Sequence, residues 1–63
     1  MSSFAIVLTD EEIDHTALAL QRAITGNENK DAVKVFEGIQ EKLDPYVSDS
    51  TKQAITMMKI FKI

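Results

Sequence analysis

The chain has 63 residues and no cysteine, and this combination limits what can hold a fold together. A domain of this size buries only about 60% of the surface that its unfolded chain exposes. It usually needs a further source of stability, or staple, such as a disulfide, a bound metal or association with another chain. Disulfides are excluded, and a zinc site is disfavoured because His15 is the only histidine. Association with another chain is the staple that remains. We therefore expect a homo-oligomer, with a dimer as the first choice.

The apolar content supports this expectation. Hydrophobic residues make up 44% of the chain, and a monomer this small would leave several large ones exposed. Large exposed apolar patches usually mark binding surfaces. We assign self-assembly to both ends of the chain, through Phe4, Ile6, Leu8, Met58 and Phe61.

An apolar run precedes a strong helix start. Residues 3–8 are too short for a helix and favour a strand or an extended arm. Thr9 and Glu12 have the spacing of a capping box, and an apolar stripe at helical spacing follows them. Gly26 is suited to a left-handed stop. The sequence therefore predicts a first helix over residues 10–25.

A second helix is predicted over residues 28–43. Asn27 or Asn29 caps its start, and Asp44 ends it because the residue before Pro45 is pushed out of the helical region. The two helices have nearly equal length and a short connection. They are therefore predicted to pack as an antiparallel helical hairpin.

The remaining residues favour a third helix over residues 51–61. Ser50 and Gln53 could form a second capping box, whereas a strand over 55–63 would give neither face a clean pattern. Such a helix would put Ala54, Met58 and Phe61 on one side, with Met57, Ile60 and Ile63 spread around it. The fold class is thus a single, mainly α domain over 1–63: a hairpin, a C-terminal helix and an N-terminal strand or arm.

Two residues interrupt this pattern. Leu18 is predicted to point away from the apolar stripe, as either an ordinary exposed leucine or a partner contact. Gly38 is predicted to lie on the solvent side of the second helix, where it costs about 1 kcal/mol relative to alanine. Either that cost is tolerated or another backbone approaches closely.

Candidate chemistry is sparse. The carboxylates between residues 10 and 14 suit the first turn of a helix, where negative charge interacts favourably with the macrodipole. Glu11 and His15 are four residues apart, as two metal ligands would be, but nothing completes a set. The serines lie far from His15 in sequence, and no phosphate-binding glycine loop is present. We expect no catalytic activity, no metal and no cofactor.

The leading hypothesis is therefore a protein-interaction module. Its acidic helical face would bind a protein partner through Glu11, Asp14, His15, Leu18 and Arg22. Small size, a net charge of −3 and few reactive groups are typical of inhibitors or antagonists that phages encode against host proteins, so a viral protein is one expectation.

A small-ligand protein is the alternative. In this hypothesis an oligomer captures a nucleotide in pockets between its subunits. Positive charge would meet the phosphate and an aromatic ring the base, through Arg22, Lys30, Lys34 and Tyr46.

A DNA-binding regulator ranks third. A short strand followed by two helices, over residues 3 to about 43, resembles the ribbon-helix-helix repressors. The resemblance implies two strands that pair across a dimer and enter the major groove. The outward residues here would be Ser3, Ala5 and Val7, and no Lys or Arg precedes Arg22. A protein partner is therefore favoured over nucleic acid.

The expected location is the cytoplasm. No apolar run approaches the ~20 residues that a membrane-spanning helix needs. The first residues also lack the basic region of a secretory signal peptide. We expect no membrane association.

Overall fold

The computed structural model describes residues 2–61, in which three α-helices follow an N-terminal segment. The helices are α1 (Asp10–Ile24), α2 (Lys30–Leu43) and α3 (Asp49–Phe61), with a 3-10 turn (Asp44–Tyr46) between the last two. Residues 2–9 form neither helix nor strand. The mainly helical class with three helices is confirmed, whereas a strand in the arm stays a prediction. Such a strand needs a second chain to pair with, and only one chain is present.

Helix α1 begins and ends as its local sequence predicts. The Thr9 amide donates to the Glu12 carboxylate at 2.9 Å, and the Glu12 amide donates to the Thr9 hydroxyl oxygen at 3.1 Å. This reciprocal pair is the predicted capping box. Gly26 follows the helix with a φ of 73°, a conformation that glycine adopts without steric cost.

The starts of the other two helices differ in how well they were predicted. Asn29 caps α2, because its side-chain oxygen accepts from the Ala32 amide at 3.1 Å. Helix α3 begins at Asp49, before the predicted start, so Ser50 already lies in its first turn. The predicted capping box of Ser50 and Gln53 is therefore wrong.

The three helices lie nearly in one layer. Helix α1 packs against α2 and α3, and no contact joins α2 to α3. The Cα positions span 33 × 29 × 14 Å. Their radius of gyration is 12.0 Å, compared with about 10.6 Å expected for a domain of this length. Domains normally consist of two packed layers around one core, and this chain provides little more than one.

The consequence is a very small core. Among the described residues, the buried apolar side chains are Ala17 and Val47, and the buried polar ones are Gln21 and Thr51. The accessible surface is 5259 Å², about 1,200 Å² more than monomeric proteins of this mass usually expose.

Helix α1 has a second packed side that the apolar stripe did not indicate. Leu18 is half-buried, although it was predicted to point away from the apolar stripe, and Gln21 beside it is 3% exposed. The prediction considered only the hairpin with α2. Because α3 packs along the other flank of α1, residues on that flank are covered as well.

The covered side of α3 includes only one of the three residues predicted to share a side. Thr51 is buried, and Ile55 and Met58 are half-buried, whereas Ala54 and Phe61 are exposed. Much of the apolar surface of α3 therefore points outward.

Candidate functional site

A carboxylate on α1 holds the start of α3. The Ser48 amide donates to Asp14 Oδ1 at 3.0 Å, and the Ser48 hydroxyl donates to Asp14 Oδ2 at 2.8 Å. These bonds, the backbone one foremost, lower the pKa of Asp14 from its ordinary value of 3.8. Charged donors and acceptors make stronger hydrogen bonds than neutral ones. Asp14 was predicted to bind a partner, but its carboxylate is occupied within the fold.

The other residues predicted to bind a partner divide into two groups. Glu11, His15 and Arg22 are exposed, and Leu18 is half-buried. His15 Nε2 lies 3.8 Å from Glu11 Oε1, one helical turn away. Such an exposed pair contributes little to stability. Three of the five residues therefore remain available on the outward side of α1.

A groove of about 700 Å³ separates α2 from α3 above α1. Because the two outer helices do not touch, the groove is open to solvent along its length. We call it the central groove. It is lined by Ala17, Glu37, Gln40, Glu41, Asp44, Pro45, Val47, Ile55 and Lys59.

A chain of side-chain hydrogen bonds connects Gln40, which lines the central groove, to Gln21 and Thr25, which line a smaller groove beside Met58. The Gln40 amide group donates to Gln21 Oε1 at 3.0 Å, and Gln21 Nε2 donates to Thr25 Oγ1 at 3.1 Å. Gln21 is almost completely buried, and buried polar groups are costly unless they are paired. The amide pair therefore links α1 to α2 in the region that a hydrophobic core would normally occupy.

The two walls of the central groove differ in charge. The α2 side carries Glu37, Glu41 and Asp44, and the α3 side carries Lys59. Across one end, Lys52 Nζ lies 3.9 Å from Asp44 Oδ2, with both side chains partly exposed. These groups lie around a groove that is partly open to solvent.

The residues predicted for nucleotide binding are not gathered in either described groove. Arg22, Lys30, Lys34 and Tyr46 are all exposed. None of them lines the central groove or the smaller one beside Met58. Lys30 and Lys34 share one turn of α2, and Tyr46 lies beyond the opposite end of that helix.

The predicted self-assembly residues are mostly exposed. Phe4 is 87% and Ile6 is 76% exposed, and Leu8 is half-buried. Phe61 is 62% exposed, and Met58 lines the smaller groove.

Two further exposed apolar residues, Met57 and Ile60, were not included in the predicted self-assembly set. They lie on the outward side of α3, three positions apart. The signal that could have identified them is the lack of charge at helical spacing along that side.

Within residues 2–61, no group of three or more His, Cys, Asp or Glu side chains could hold a metal ion. None of the helices is both long enough and apolar enough to cross a membrane.

Comparison with known proteins gives no further assignment. The chain matches no protein-family model, no curated protein and no solved structure. The function of the chain is therefore inferred from the positions of its own residues.

Proposed function

We propose that the chain is a non-catalytic protein-interaction module that acts as a homodimer in the cytoplasm and binds a second protein through the outward side of α1. The supporting observation is the distribution of apolar side chains. Among residues 2–61, nine large hydrophobic side chains are at least 39% exposed and no large side chain is fully buried. A chain that places its apolar surface outside rather than in a core is suited to association.

The outward side of α1 supplies the surface for the second protein. Glu11 and His15 remain exposed there, next to the other acidic residues of the first turn, Asp10 and Glu12. Asp14 and Leu18 are not part of this surface, because Asp14 accepts hydrogen bonds from Ser48 and Leu18 is half-buried. The binding surface is thus acidic at one end and has Arg22 at the other.

The sign of the charge favours a basic partner surface. The wall of Glu37 and Glu41 in the central groove is acidic as well, so a basic segment would be complementary to both regions. Complementary potentials mainly increase the rate of association and its specificity. An acidic module without catalytic groups would act by occupying a basic site on its partner, as an inhibitor or antagonist does.

A charge-reversal comparison tests this proposal. Immobilised wild-type protein would be incubated with cell extract beside a Glu11→Lys variant and an Asp31→Lys control. Glu11 and Asp31 occupy the second position of α1 and α2, respectively, so both changes impose the same unfavourable interaction with a helix macrodipole. We expect one stoichiometric partner on the wild type and the control, and a loss of at least about tenfold on Glu11→Lys.

The salt dependence provides a second readout. Exposed charges are screened at high ionic strength, so retention by the wild type should fall between about 0.05 and 0.5 M salt. Equal retention by all three proteins, or retention that salt does not change, would count against the α1 surface.

A further inference from the structure

The outward side of α3 carries no charge after its first residue, Asp49. Ser50, Gln53, Met57 and Ile60 are all exposed and follow one another at intervals of three, four and three residues. We call these four residues the outer seam. This spacing keeps side chains on one helical stripe and is the spacing found where two helices pair. Met57 is 55% and Ile60 is 66% exposed.

The other two helices carry charge on their outward sides. Glu11, His15 and Arg22 are exposed on α1, and Asp31, Lys34 and Lys42 are exposed on α2. A helix side that remains in water normally has this character. Lys59 of α3 lines the central groove, and Lys52 pairs with Asp44 beside it. Lys52 and Lys59 are therefore turned away from the outer seam, whereas Asp49 is exposed at the start of α3, one turn before Gln53.

We propose that the outer seam is the interface between two copies of this chain, with α3 of one copy packed against α3 of the other. Ala54 and Phe61 flank the seam and extend the contact. In a two-fold dimer the same surface of each copy meets itself. A seam without charge is compatible with this, because no like charges are brought together.

The exposed area supports a second copy as the occupant. The excess of accessible surface is about 1,200 Å², and a stable interface buries about 800 Å² on each partner. The excess is thus large enough to supply one side of a dimer interface. The small core adds a second reason. A chain with so little buried surface needs a partner on its exposed apolar residues whenever it is folded, and a second copy of the same chain is always present in equal amount.

The inference rests on the homodimer of the proposed function and assigns its interface. The test compares the full chain with a double variant, Met57→Glu with Ile60→Glu, by light scattering over a dilution series. The matched control is Val35→Glu with Tyr46→Glu, two residues of similar exposure outside α3. We expect wild type and control to have twice the chain mass of 7.0 kDa. The dimer dissociation constant of the α3 variant should be about 100-fold higher or more, because dimerisation would bury the two introduced glutamates of each chain.

Cysteine cross-linking gives a readout that does not depend on a variant's stability as a monomer. The chain has no cysteine, so Met57→Cys introduces a single thiol near the middle of the seam. Mild oxidation should link the two copies at least ten times faster than in a Val35→Cys control. Disulfides form only where the two Cα atoms lie within about 7 Å.

Other outcomes would overturn the inference in distinguishable ways. A wild-type dimer that survives the α3 changes but dissociates with Phe4→Glu and Ile6→Glu would place the interface on the arm and leave the homodimer intact. A wild-type monomer at every concentration would contradict both the seam and the homodimer. If that monomer also bound phosphatidylserine vesicles and lost this binding with Ile60→Glu, the seam would belong to a membrane surface.

Discussion

The side-chain amide of Gln40 donates to the side-chain oxygen of Gln21 at 3.0 Å, and this bond joins α2 to α1. The two partners differ in burial, because Gln21 is 3% exposed whereas Gln40 is half-exposed. A buried acceptor that loses its donor retains the cost of desolvation, whereas a half-exposed group can return to water.

This difference predicts unequal effects for the two leucine replacements. Gln40→Leu should lower the free energy of unfolding by about 1–2 kcal/mol, because it leaves the buried Gln21 oxygen without a donor. Gln21→Leu should cost less than Gln40→Leu, because Gln40 can be hydrated. Urea unfolding of both variants and the double variant would measure the coupling, expected near 1 kcal/mol. Additive effects of equal size would show that the bond does not stabilise the fold.

The link between Asp14 and Ser48 predicts loss of stability in acid. Hydrogen bonds from Ser48 lower the pKa of Asp14, and bonds from Thr9 lower the pKa of Glu12. Both carboxyls therefore release their protons more readily in the folded state than in the unfolded chain. Their stabilisation is complete above the ordinary values of 3.8 and 4.5. It is lost as the pH falls through the lower folded values.

Thermal unfolding at several pH values would check this dependence. Asp14→Asn should lower the unfolding temperature at pH 7. It should also make the decrease of the unfolding temperature below about pH 4 smaller than in the wild type. Asp31→Asn, an exposed carboxylate in the first turn of α2, serves as the control and should leave the acid transition unchanged. Identical pH profiles for the wild type and Asp14→Asn would contradict the assigned role.

The space around Gly38 predicts a stabilising replacement. A Cβ built there meets no atom within 4 Å, and the residue lies inside α2. Gly38→Ala should therefore raise the free energy of unfolding by about 0.5–1 kcal/mol. Ala19→Gly, the opposite change at an exposed position inside α1, should lower it by a similar amount. If Gly38→Ala instead weakened the dimer, a second chain would approach α2 there, and the interface would not be the outer seam.

The capping box of α1 predicts a measurable loss when one side is removed. Thr9→Ala should cost about 1 kcal/mol, because the Glu12 amide loses its acceptor and the helix start frays. Thr56→Ala is the control, since its hydroxyl bonds only to a carbonyl one turn earlier in α3. That replacement should change the free energy of unfolding by no more than about 0.5 kcal/mol. Equal effects would mean that the first turn of α1 is held by other contacts.

The elements that local sequence determines were predicted well. The capping box at Thr9, the turn at Gly26 and the cap at Asn29 each depend on residues within four positions of one another, and all three are present. Short-range steric and hydrogen-bond rules were sufficient at these points.

The end of α2 differs from its prediction. Its last residue is Leu43, as predicted, but Asp44 keeps a helical backbone (φ −49°, ψ −44°) and the chain continues into the 3-10 turn. The expectation that Asp44 is pushed out of the helical region by Pro45 is therefore wrong.

The arrangement of the third helix was not accessible in the same way. Asp14 and Ser48 are 34 positions apart, and no local pattern indicates that they meet. Their contact places α3 along α1, and that placement covers Leu18 and Gln21. Which apolar residues of α3 are exposed was not predictable for a related reason, because a stripe at helical spacing has the same pattern in a core and at a subunit interface.

The mass of the intact chain in solution tests the central claim most directly. Light scattering from high micromolar to low nanomolar concentration would be combined with thermal unfolding at each concentration. The account predicts twice the chain mass of 7.0 kDa at high concentration, and an unfolding midpoint that rises with concentration because dimerisation is linked to folding. A chain of 7.0 kDa throughout, with a cooperative midpoint that does not depend on concentration, would show that this thin fold is stable alone and would contradict the account.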